Sequence, residues 1–140
     1  MSHSRQSPAQ INASTQDFLP GHLGIVITET EEGRCSGEMA VKKHHLAPNG
    51  YMHAGSVVTL ADSCCGLGCV NNLPEGAAGF TTIELKSNHL GTALEGTVAC
   101  KATLFHGGRT TQVWDAEVIH KETGKTMALF RCTQLILYKK

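Results

Sequence analysis

The spacing of apolar positions changes along the chain and separates one helix from a series of strands. From Ala54 to about Val70, the residues Val57, Val58, Ala61, Cys64, Cys65 and Gly68 recur at intervals of three and four, the period of one helical face. The polar remainder of this segment is small, and it is rich in Ala, Gly, Ser and Cys. Such a helix belongs in an interior, close against its neighbours. Asn71, Asn72, Pro74 and the glycines of "NNLPEGAAG" end it.

Upstream, "LGIVIT" and "GEMAV" flank the polar "ETEEGRCS" and predict two strands around a turn. Pro48, Asn49 and Gly50 in "HHLAPNGY" mark a loop that should leave His44 and His45 exposed. Downstream, "FTTIELKSNHL" alternates, placing Thr81, Ile83, Leu85 and Ser87 on one face and Thr82, Glu84, Lys86 and Asn88 on the other. Three further β-rich runs follow, broken at "HGG" and "KETGK". The pattern is α+β, a buried helix followed by an antiparallel meander. Residues 1–15, rich in Ser, Gln and Asn, read as a mobile tail before a single domain over 16–140.

The 140 residues suit one core, and 12 basic against 12 acidic side chains leave no net charge to draw the chain to nucleic acid or an anionic membrane. No segment has the apolar length of a signal peptide or a membrane span, which predicts a cytoplasmic protein. The six cysteines read as reduced, buried apolar residues. His44, His45, His53, Cys64 and Cys65 lack the paired short spacing of a structural zinc site, so no metal is expected. Trp114 and Phe130 read as core, and the closing "YKK" as a solvated terminus.

Against this background Asp62 stands out. On a helix it shares the side of Val58 and Cys65, where a carboxylate must be hydrogen-bonded, paired or protonated. It could bond a neighbouring loop amide and lock the helix in place, or it could face a pocket and do chemistry. The preceding "HAGS" puts small residues at the first helical turn, whose amides lack internal partners and favour negative charge. A carboxylate and free amides are the two parts that acyl hydrolysis needs. Asp62 lies about 12 Å along the axis from Ala54, so one carbonyl would meet the amide of one chain and the carboxylate of another. Ser56 and Ser63 are weaker nucleophile candidates, because no GxSxG elbow is present.

"NGYMHAGSVVTLAD", "TTIELKSNHLGTALEG" and "LFHGGRTT" together resemble the hotdog-fold acyl-CoA thioesterases, in the group of the phenylacetate-degradation and 4-hydroxybenzoyl-CoA enzymes. The likeness spans roughly residues 18 to 138, and its most specific element is a His-small-Gly turn with an acid nine positions after the His, here His53 and Asp62. It implies a long central helix wrapped by a five-stranded antiparallel sheet, and homodimers or homotetramers with active sites between subunits. It further implies acyl-CoA as substrate and no metal or organic cofactor. Asp62 would be nucleophile or general base, the Ala54 amide the oxyanion donor, His53 the support of the turn, and Thr82 the hydroxyl near the attacking water. His89 and the turn His106, Gly107, Gly108, Arg109 and Thr110 would touch coenzyme A, with Gly55 and Asn49 beside the substrate. Two departures are visible: Ala54 replaces the family's first glycine after the His, and Ala47 stands where Asn or Gln is usual. The alternatives are a non-catalytic acyl-CoA or small-ligand binder of the same fold and, less favoured, a hotdog dehydratase.

Overall fold

The computed structural model describes residues 5–140. Six antiparallel strands form one sheet: β1 (Ile25–Glu31), β2 (Arg34–Ala40), β3 (Ala77–His89), β4 (Thr97–Gly107), β5 (Thr111–His120) and β6 (Thr126–Tyr138). Their order is β1-β2-β4-β5-β6-β3. Three helices precede or cross it: α1 (Pro8–Thr15), α2 (Leu19–His22) and α3 (Ala54–Asn71). This is the hotdog arrangement, with α3 as the buried filling; the strand count is six, not five. The two strands read from "LGIVIT" and "GEMAV" pair at one edge and, with the four strands after α3, make up the six.

Small residues let α3 approach the sheet. Gly68 packs under the fully buried Trp114, and a Cβ there would lie 2.7 Å from the indole ring. Cys64 lies against Gly37 of β2 in the same way, at 2.9 Å from where a Cβ would stand. All six cysteines are free and buried, as small apolar fillers would be. Gly68→Ala would gain about 1 kcal/mol of helix propensity but overpack the indole at about 1–3 kcal/mol. The expected net result is a loss of about 1 kcal/mol, read as a lower urea midpoint with unchanged slope.

Three expectations need correction. Within the stretch expected to be a mobile tail, residues 8–15 form α1: Ser7 caps it, Ile11 is buried, and the Asn12 side chain pairs with both backbone groups of Ile27. Residues 1–4 lie outside the described residues. Second, the alternation along β3 breaks at a bulge between Thr82 and Glu84, which shifts the phase. Thr82 pairs with the buried Gln134, and Ser87 with the buried Phe130, so both face inward although five residues separate them. Third, His45 is fully buried. Its Nδ1 accepts from the Lys42 amide at 2.9 Å, and its Nε2 lies 2.7 Å from the Leu23 carbonyl. These two ring contacts replace water for a side chain that the loop composition placed in solvent.

Candidate active site

The site is built around α3. His53 caps the helix with extended backbone (φ −67, ψ 133), and its Nδ1 accepts the Gly55 amide at 2.8 Å. A Cβ on Gly55 would sit 3.0 Å from that nitrogen, so the cap needs glycine there. His53 therefore occupies the Gly55 amide and leaves the exposed Ala54 amide, the first of the helix, pointing outward without a carbonyl one turn behind it. The turn is anchored from below: the His45 carbonyl accepts the His53 amide and the Ser56 hydroxyl, both at 2.9 Å. Ser56 is thus a structural tie rather than a nucleophile.

Two turns further on, Asp62 is half-buried on α3. Its Oδ1 is shielded from solvent and has no hydrogen-bond partner among the described residues, and burial raises its pKa above the ordinary carboxylate value. The reading in which Asp62 locks the helix to a loop amide finds no such bond at this oxygen.

Register places β3 beside it. Gly66, one turn after Asp62 on the same helix face, approaches the Phe80 ring, which a Cβ would meet at 3.1 Å. Helix and strand run in opposite directions: a short connection joins their ends at 72–76, and at the other end Met52 N–H donates to Thr92 Oγ1 at 3.0 Å. One turn back along the helix and two residues on along the strand both cover about 6 Å. That spacing sets Thr82 level with Asp62 along the helix. Its hydroxyl donates to Gln134 Oε1 at 2.6 Å.

The remaining candidates divide between the two ends of the sheet. The turn from His106 to Thr110 joins β4 to β5, next to the Thr81 end of β3: the Thr110 carbonyl accepts the Ile136 amide, and Thr111 pairs with Leu135. Arg109 is exposed, its guanidinium 5.2 Å from the centre of the Tyr138 ring, and its carbonyl accepts the Tyr138 hydroxyl. His89 closes β3 at the far end, roughly 25 Å away at strand rise, near the start of α3. Asn49 is exposed, and its Oδ1 accepts the Tyr51 amide at 3.1 Å. One chain thus sets Asp62 and Thr82 level with each other and the Arg109 turn at the same end of the sheet across β6, and leaves the Ala54 amide about 12 Å from Asp62 along α3.

Sequence reasoning missed Gln112 and Gln134, both fully buried. The signal was present, since Gln134 falls in the same alternating phase as Cys132 and Ile136. Gln112 accepts from Trp114 Nε1 and donates to the Asn72 carbonyl, each at 2.8 Å, tying β5 to the end of α3.

A single buried helix wrapped by an antiparallel sheet defines a hotdog protein, and the acid carried on that helix suits thioester hydrolysis. The sequence pattern of the thioesterase superfamily matches residues 49–127, and the chain belongs to that family. It is 30% identical over 118 residues to the 1,4-dihydroxy-2-naphthoyl-CoA hydrolase of Listeria monocytogenes, covering 84% of this chain and 94% of that one. It also resembles the crystal structure of a Haemophilus influenzae thioesterase, with TM-score 0.89, 27% identity and coverage of 96% and 93%. The E. coli PaaI protein from the phenylacetic acid degradation operon is similar too, with TM-score 0.80, 26% identity and coverage of 96% of each chain.

Proposed function

We infer that the chain hydrolyses acyl-CoA thioesters, with Asp62 as nucleophile or general base and the Ala54 amide of a second copy holding the thioester oxygen. The observation that carries this reading is the buried Oδ1 of Asp62, which has no hydrogen-bond partner among the described residues. A buried acid without a structural bond destabilises the fold, and it repays that cost at a reacting centre. A thiol leaving group, with pKa about 8.5, departs as thiolate without a strong general acid, so one carboxylate and one amide dipole suffice.

The separation of Asp62 from the Ala54 amide supports a site shared between subunits. Strand β3 is hydrogen-bonded on one side, to β6, among the described residues, and carries the exposed Ile83 and Leu85. Its 13-residue edge suits pairing with the same edge of a second chain. Coenzyme A as the thiol rests on Arg109, an exposed cation of the kind that pairs with phosphate, and on the named activity of the Listeria relative. Cytoplasmic placement belongs to the same reading; among the described residues no helix is long and apolar enough to cross a membrane.

The test is thiol release from aryl, short-chain and medium-chain acyl-CoAs. Turnover of at least one member is expected. Binding of coenzyme A without thiol release from any of them would favour the non-catalytic binder, and loss of an enoyl chromophore without thiol release would favour a dehydratase.

A further inference from the structure

We propose that Gln134 is a positioning residue for hydrolysis: its buried amide oxygen takes the hydroxyl proton of Thr82, holding Thr82 Oγ1 as an acceptor toward water beside Asp62. The inference rests on the reading of Asp62 as a general base.

A threonine hydroxyl has one proton and two lone pairs. With the proton committed to Gln134 Oε1 at 2.6 Å, Thr82 can only accept a further hydrogen bond. A water between the two side chains would then direct one hydrogen to Thr82 and the other to Asp62, leaving an oxygen lone pair for the acyl carbon. In the reaction the water oxygen bonds to that carbon and Asp62 takes the proton. The carbon–sulfur bond breaks, and sulfur leaves with the electron pair and is then protonated. Without Gln134 the Thr82 hydroxyl would turn its proton toward the carboxylate opposite, competing with the water for the base.

Burial makes the glutamine hard to explain otherwise. Gln134 is fully buried on β6 between the inward-facing Cys132 and Ile136, where an amide costs stability unless hydrogen-bonded. Its Nε2 has only a weak acceptor, Cys132 Sγ at 3.5 Å. Gln112, its neighbour across β5, joins backbone and core and is accounted for by the fold. Gln134 instead spends its oxygen on a side chain at the candidate site.

The experiment is a double-mutant cycle on kcat and KM with Thr82→Val, Gln134→Met and the pair, with melting curves to match folding and Asp62→Asn as a control. Each single variant is expected to lose about tenfold in kcat, the scale of one hydrogen bond, with KM little changed. The pair should lose no more than the worse single variant, because Gln134 acts through the Thr82 hydroxyl. Independent losses that multiply, or wild-type kcat in Gln134→Met, would overturn the inference while an impaired Asp62→Asn left the reading of the site standing. A silent wild type or an unimpaired Asp62→Asn would overturn both. Gln134→Asn withdraws the oxygen from Thr82 but keeps a buried amide, and takes the place of Gln134→Met if the apolar variant does not fold.

Discussion

Asp62→Asn is expected to lower kcat by about 10²-fold or more while coenzyme A still binds, the loss that follows removal of a positioned base or nucleophile. The asparagine keeps the shape of the side chain but can neither take a proton nor attack. Two further signatures separate a catalytic acid from a structural one. The carboxylate must be ionised to act, and burial raises its pKa, so the acidic limb of the wild-type profile should lie at higher pH than an ordinary carboxylate of pKa 3.8 would give. The stability effect has the opposite sign to the activity effect. An acid whose native pKa is raised stabilises the fold only while protonated, and as pH rises through the native value the charge becomes a burden that the unfolded chain does not carry. At neutral pH, Asp62→Asn should therefore melt at a higher temperature than the wild type while turning over far more slowly. A variant that lost stability and activity together would make Asp62 a structural residue.

The parts of the molecule legible in the sequence are those that a single period describes. Helix α3 was, because Val57, Ala61, Cys64 and Gly68 keep one face along its whole length, and Asp62 was, because it shares the side of Val58 and Cys65. Strand β3 was legible as a strand but not in its phase. A bulge at residue 83 leaves no mark in composition, yet it decides that Ser87, whose Oγ is buried without a partner, faces inward, as Thr82 does. The partners of the site come from residues distant in sequence: Thr82 and Gln134 are 52 residues apart, and only the β3–β6 register brings them together. Helix α1 was lost in a polar segment because one buried isoleucine and one asparagine hold it, too few positions to show a period. The site residues divide between the two ends of the sheet, with Thr82 and the Arg109 turn at one and His89 at the other. The distance from Ala54 to Asp62 was legible from helical rise alone and pointed to a second chain, whereas the place of the Arg109 turn needs the β4–β5–β6 register.

Replacing His45 with leucine should cost about 2–4 kcal/mol, because it strips the Lys42 amide and the Leu23 carbonyl of their ring partners at once. For a chain of this size that is a drop of roughly 10 °C in melting temperature. The wild type should show the same dependence through pH. In the native state His45 is neutral, with Nδ1 accepting from Lys42 and Nε2–H donating to Leu23, and burial, followed by the neighbouring His44 and Lys42 charges, outweighs the Leu23 bond and lowers its pKa below the usual imidazole value of 6.5. Above that value both folded and unfolded chains carry a neutral ring, and this group gives no pH dependence. As pH falls below it, the unfolded chain binds a proton that the native chain refuses, so stability declines until the lowered native pKa is reached. Melting curves between about pH 5 and 7.5 should show that decline in the wild type and a flatter line in His45→Leu; equal slopes would remove His45 as the cause. The effect reaches the candidate site through the backbone. The His45 carbonyl holds the His53 amide and the Ser56 hydroxyl, which fix the direction of the Ala54 amide. If the Ala54 amide holds the thioester oxygen as proposed, movement here misaims it before the fold is lost, so kcat in His45→Leu should fall at temperatures where the protein is still fully folded.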